Sequence, residues 1–319
     1  MTKQYMLNTE TTAFRPFNYP WAYDAWLQHE QSHWLHTEVP MAEDVKDYRD
    51  KLTEEERQFL TKILRFFVQG DLDIGGGYHD QYIPLFRNHE VRMMMSGFAA
   101  REALHVAAYA HLIETLGLPE STYNEFLQYK EMVDKHTYLD RLDSAPVTEK
   151  IAIISAFGEG MQLFSSFVML LNFARNGKLK GLGQIIAWSI VDETMHAEGM
   201  IKVYREYVKH HPEETTTDRI KEIAVEMVDI EDKFIDLAFG MVDVQGLSKE
   251  DVKQYIRYIA DRRLISMGMK GVFKVKKNPL PWVDGMLGTS HTNFFEQRVT
   301  DYSKGATTGS WADVWGCAA

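Results

Sequence analysis

Residues 100–109 read Ala-Arg-Glu-Ala-Leu-His-Val-Ala-Ala-Tyr (AREALHVAAY). On an α-helix, positions i, i+3 and i+7 stand above one another, so Glu102, His105 and Tyr109 share one face. A carboxylate and an imidazole at that spacing can grip one metal ion together. The spacing recurs in SIVDETMHAEG, residues 189–199, as Glu193 and His196. Two Glu-x-x-His pairs, each joined by a carboxylate from another helix, describe a two-metal carboxylate site inside a helix bundle.

The missing carboxylates are legible in two apolar stretches. Asp71 lies in FLTKILRFFVQGDLDIGGGYHDQYI, close to Phe67, Val68 and Leu72. Glu159 is a lone acid in the middle of residues 149–175, EKIAIISAFGEGMQLFSSFVMLLNFAR. A carboxylate on an apolar helix face needs compensation if it is buried. The sequence thus offers two triplets, Asp71–Glu102–His105 and Glu159–Glu193–His196. Their acids are separated by 31 and 34 residues, which suits two antiparallel helix pairs with short turns.

Residue types narrow the chemistry. Four carboxylates balance two divalent ions, and imidazole suits the redox states of iron and manganese. The one cysteine, Cys317, rules out a zinc finger, an iron–sulfur cluster and an intrachain disulfide framework. A single Glu-x-x-His is ordinarily a helix-surface pair, and His111 with Glu114 is read that way. Two copies, each matched to an acid in an apolar helix, are harder to dismiss. Tyr109, one turn beyond His105, falls beside such a centre and could give it an electron and a proton. Asp192 is either a solvated helix acid or an acceptor for the free ring N–H of a ligand histidine.

The rest of the chain is read as helices and turns. Trp21 opens an aromatic helical run extending through Trp34 towards Pro40. Thr53 and Glu56 form a capping-box signature before the Asp71 helix. Gly75, Gly76 and Gly77 admit two readings, close helix approach or a local distortion. Further helices are expected at about 90–115, from 119, and at 149–175, 180–209, 216–240 and 249–268. Residues 1–285 are expected to form one helical domain and 286–319 a flexible tail with scattered aromatics.

The 319 residues are 45% hydrophobic, enough for a large core, and carry a net charge of −11. That balance argues against nucleic acid and anionic membrane as partners. The polar start has no secretory character, and no stretch approaches the roughly 20 apolar residues of a membrane span. A soluble cytoplasmic protein is expected.

With REALHVAAY, SAFGEG, VDETMHAEG and the tail piece FFEQRVTDY in view, the chain resembles the small, radical-generating subunit of class I ribonucleotide reductase. The resemblance runs from about Trp21 to the tail. It implies an all-α, ferritin-like bundle around a dimetal site ligated by Asp71, Glu102, His105, Glu159, Glu193 and His196. Tyr109 matches the radical tyrosine, Trp34 and Asp192 the radical-transfer pair, and Tyr302 and Glu296 the tail residues. Two metal ions per chain are implied, with iron favoured and manganese or a mixed Mn/Fe pair compatible. A homodimer is implied, docked through its tail on a large catalytic subunit where nucleotides are reduced, with room for an activating flavoprotein. Leu163, Phe164 and Phe167 match the apolar cage, whereas Ser189 falls where a bulkier residue is expected.

Three rival readings remain. A related dimetal oxidase would act on a bound organic ligand with the same metal ligands. An iron-storage protein of ferritin-like fold would leave the long aromatic tail unexplained. A helical interaction protein would hold no metal.

Overall fold

The computed structural model describes residues 7–138, 142, 144–240 and 242–287. The chain divides into two compact units, Met1–Pro281 and Trp282–Ala319. The first unit holds ten α-helices among its described residues, and no strand. They are α1 (Pro20–Gln31), α2 (Ala42–Asp50), α3 (Glu54–Gly77), α4 (His89–Thr115), α5 (Lys130–Thr137), α6 (Val147–Ile151), α7 (Leu163–Arg175), α8 (Lys180–Val208), α9 (Thr217–Phe239) and α10 (Lys249–Ser266).

Side-chain caps set several starts. Thr53 accepts from the Glu56 amide while the Glu56 carboxylate accepts from the Thr53 amide, at 3.2 and 3.0 Å, the reciprocal box expected from the sequence. Asn88, Thr216 and Ser248 cap α4, α9 and α10 in the simpler way. Gly177, with φ of 76°, ends α7 in the left-handed conformation, and the Lys178 amide reaches back to Phe173 O.

Two departures from regular helix matter to the site. α3 runs on into a π-helical turn, Tyr78–Tyr82, and α6 and α7 are joined by an eleven-residue π-helical stretch, Ala152–Gln162. Glu159 lies in that stretch. The glycine run answers to both of its readings. A Cβ on Gly75 would stand 3.3 Å from Glu102 Cβ and one on Gly77 3.0 Å from Ile154 Cδ1, and the π turn begins at the next residue.

Two helical expectations change. α1 stops at Gln31, so Trp34 lies beyond it in the turn before a short 3-10 segment at His36–Glu38. The helix expected after Pro119 is two 3-10 turns, Glu120–Tyr123 and Glu125–Gln128, followed by the short α5. The segment Val147–Arg175 is long and apolar enough to cross a membrane, longer than VMLLNFA suggests, but its most apolar window is wholly buried inside the protein. Every residue from Ile151 to Phe173 is buried. Each large side chain so buried contributes about 1.5–3 kcal/mol. The same burial leaves Glu159 no water.

Candidate metal centre

Four elements deliver the six predicted side chains: α3 brings Asp71, α4 brings Glu102 and His105, the π stretch brings Glu159, and α8 brings Glu193 and His196. All six are 0–1% exposed. Each triplet of the sequence is intact and is extended by a glutamate of the other, giving two overlapping quartets. Ligand atoms of Asp71, Glu102, His105 and Glu193 lie within 4.8 Å of one another, as do those of Glu102, Glu159, Glu193 and His196. Glu102 and Glu193 belong to both and stand between two positions, with Asp71 and His105 on one side and Glu159 and His196 on the other.

The histidines present the same atom to the centre. His105 Nδ1 is 2.9 Å from Glu193 Oε1, and His196 Nδ1 is 2.8 Å from Glu102 Oε1. Both oxygens of Asp71, Glu102 and Glu193, with Glu159 Oε1 and the two Nδ1 atoms, are buried without a conventional hydrogen-bond partner. So many orphaned donors and acceptors in one dry space would be costly in a finished core. Two divalent cations would satisfy them and cancel four negative charges, so the residues fit a dimetal group.

Electrostatics say the same. Burial, reinforced by Glu102, holds the Asp71 carboxyl well above the usual carboxylate range. Burial also raises Glu159, to about 7, although His196 opposes it. Burial disfavours charge on His105 and His196, but the surrounding carboxylates outweigh it and raise both imidazoles well above their ordinary value. Glu102 is lowered, since its two histidine partners outweigh its own desolvation. Without metal, the surrounding carboxylates favour a proton on each imidazole.

Behind His105 the structure builds a chain of hydrogen bonds. His105 Nε2 is 3.1 Å from Asp192 Oδ2, and Trp34 Nε1 donates to the same oxygen at 2.8 Å. The Trp34 ring stacks beside His105, with centroids 5.8 Å apart. Arg101 donates to Asp192 Oδ1 at 2.7 Å. Burial works against charge on Asp192, yet His105 and Arg101 hold its carboxyl down at about 2. Of its two sequence readings, the buried acceptor is therefore the one that holds.

Tyr109 is fully buried, and its ring centroid lies 6.2 Å from that of His105. Its hydroxyl makes no conventional hydrogen bond. Burial first, then Asp71, pushes the phenol well above its ordinary range, with Ser189 pulling weakly the other way. Phe67 packs on the ring at 4.3 Å, and Phe167 meets Phe67 edge-on at 5.3 Å. Ser189 turns its own hydroxyl to Ile185 O at 3.1 Å.

Four residues around the centre were not singled out from sequence. Phe67, a neighbour of Asp71 in the sequence, is the ring against Tyr109. Tyr78 donates to Glu159 Oε2 at 3.1 Å. Arg101, inside the quoted motif, is 3% exposed and also donates to His29 O at 3.0 Å. His29 sits against His196, Nε2 to Nε2, at 3.1 Å, and burial with the nearby His196 and Arg101 holds it down at about 2. Glu296 and Tyr302 lie outside the described residues.

Comparisons with known proteins show the family and the fold. The family model described as ribonucleotide reductase, small chain, matches residues 11–279. A probable ribonucleoside-diphosphate reductase small subunit of Invertebrate iridescent virus 3 is 47% identical, over 97% of this chain and 88% of the relative. The ribonucleoside-diphosphate reductase subunit beta of Chlamydia pneumoniae is 31% identical, over 90% and 88%. Among solved structures, the ribonucleotide reductase R2 subunit from Clostridium botulinum superposes with a TM-score of 0.82 at 21% identity, covering 89% of this chain and 94% of that one. The dimanganese(II)-NrdF of Streptococcus sanguinis gives 0.74 at 19% identity, covering 88% and 99%. The same all-α, ferritin-like arrangement is thus shared at low identity. With a family model spanning most of its length and a relative 47% identical over 97% of it, the chain belongs to the ribonucleotide reductase small-chain family.

Proposed function

We propose that this small subunit generates a radical at Tyr109 and passes the oxidising equivalent to a large catalytic subunit that reduces ribonucleotides. The observation that carries the reading is the pair of buried quartets sharing Glu102 and Glu193, with an unpartnered phenol one helical turn from His105. In it, Asp71, Glu102, His105 and Glu193 would hold one ion and Glu102, Glu159, Glu193 and His196 the other. When bound, such a metal pair supplies oxidising power drawn from an oxygen species. Iron is favoured, and manganese, with a flavoprotein supplying the oxygen species, fits the same donors.

The residues set the course of the reaction. Burial resists a phenolate at Tyr109, so the hydroxyl proton does not leave ahead of the electron. Phe67 and the rings beside it keep water from the oxidised phenol. Asp192 holds Trp34 and His105 on one oxygen, giving a fixed route by which Trp34 can return an electron inward. That route favours a relay over a self-contained oxidase. Tyr302 and Glu296, in the tail 286–319, are assigned the onward step and the docking, with the small subunit acting as a homodimer.

Electron paramagnetic resonance on metal-loaded, oxygen-exposed protein tests the assignment. A tyrosyl signal is expected in the parent and none in Tyr109→Phe. A signal that survives the substitution overturns Tyr109 as the carrier.

A further inference from the structure

The two histidines of the centre are backed by unlike groups. His105 Nε2 faces the carboxylate of Asp192 at 3.1 Å. Among the described residues, His196 Nε2 faces the imidazole of His29, at 3.1 Å. His29 is 1% exposed, and its place is built rather than accidental. Glu90 accepts from the Asn18 and Tyr19 amides at 2.6 and 2.8 Å, fixing the start of α1 against α4. Gly97 lets the two helices close up, since a Cβ there would stand 3.2 Å from Trp26 Cδ1. Arg101 and the Ser32 hydroxyl both donate to His29 O, tying down the end of α1. Phe98 packs edge-on against the His29 ring at 5.1 Å.

Resting on the two-metal reading above, we propose that His29 is the positioning residue of the Glu159–His196 metal position. It accepts a hydrogen bond from His196 Nε2–H and so turns the Nδ1 lone pair to the ion. A histidine whose Nδ1 binds metal carries its proton on Nε2, and that proton needs an acceptor. His29 Nε2 is the atom in reach. Its own proton then sits on Nδ1, which is buried without a conventional hydrogen-bond partner.

A neutral imidazole makes His196 a weaker donor than Asp192 makes His105. The position at Asp71 and His105 therefore fills first, and the position at Glu159 and His196 second.

The test is anaerobic titration of the full-length chain with Mn(II), reading stoichiometry, stepwise affinity and the spin-coupled pair signal. The parent should take up two ions with unequal affinity. His29→Leu, which offers no acceptor, should weaken only the second ion, by about 10–100-fold. His29→Gln, whose side-chain oxygen can accept, should recover most of that loss. Equal weakening of both ions, or no weakening, overturns the role of His29. Fewer than two ions in the parent would instead sink the dimetal reading itself. The parent also offers a readout independent of any variant's folding. With imidazole-¹⁵N histidine and Zn(II), a diamagnetic ion, His29 should be protonated at Nδ1 and bare at Nε2, and the opposite tautomer refutes the proposal.

Discussion

Trp34 Nε1 and Asp192 Oδ2 are 2.8 Å apart, and both residues are almost wholly buried. The indole comes from the turn after α1 and the carboxylate from α8, so one hydrogen bond ties two distant parts of the chain to the back of His105. Asp192 also balances the Arg101 guanidinium in a place without water.

Removing that carboxylate should cost stability before it costs chemistry. Asp192→Ala leaves Arg101 buried and uncompensated, which typically costs about 3–5 kcal/mol. Chemical denaturation of metal-free protein measures it. Adding Arg101→Met to Asp192→Ala should restore part of the loss, whereas a further loss of similar size would show that the pair is not what holds the region.

Removing the Tyr109 hydroxyl should have the opposite effect on stability. It is buried without a conventional partner, and such a donor typically costs about 1–3 kcal/mol. Tyr109→Phe should leave the metal-free protein as stable as the parent or more so. A clear fall in the unfolding midpoint would mean that the phenol has a partner after all.

Stability of the metal-free form should fall as pH rises. Glu159, raised to about 7, and Asp71, raised well above 3.8, keep protons that the unfolded chain releases near its ordinary values. From about pH 4.5 upward the native state therefore binds more protons, and stability declines with pH. His105 and His196, raised above 6.5, add stability that is full below that value and lost as pH passes their folded-state values. Glu102 and Asp192 are lowered, so their contribution is lost only on the acid side, below about pH 4. Melting midpoints between about pH 5 and 8 should fall without metal, and metal affinity should rise over the same range as protons are displaced. A flat profile in metal-free protein would contradict the assigned shifts.

Close packing supports the site from behind. A Cβ on Gly199 would stand 2.9 Å from Phe98 Cε2, and the Phe98 ring lies 4.4 Å from the His196 ring. Gly199→Val should push Phe98 into His196, cost about 1–3 kcal/mol, and weaken metal uptake. Atomic absorption after reconstitution reads the second effect. Full occupancy would show that Phe98 yields without moving the ligand.

The cluster of six candidate ligands was legible because acids in apolar helices are rare and the Glu-x-x-His spacing is helical. The sharing of Glu102 and Glu193 was not, since spacing along a helix does not say which carboxylate stands between two positions. Glu102 and Glu193 are common to both quartets only because four elements cross at one depth. Arg101 and His29 escaped notice because such residues usually snorkel or face water, and their burial is a tertiary property. Trp34 was found through its matched motif, whereas the end of α1 at Gln31 was not seen. No proline or glycine marks that break, and the chain turns there to bring the indole to Asp192.

The π-helical stretch at Ala152–Gln162 gives the centre a weakness of a different kind. Each of its hydrogen-bonded loops encloses one more residue than an α-helical loop does, so the angle at which Glu159 leaves the axis is set by how many residues precede it. Conservative replacements throughout 152–158 would keep that angle. A one-codon deletion would swing the carboxylate by about 100°, one residue's rotation on an α-helix, and take it off His196. Against this part of the protein, changes in length are the sharper genetic probe.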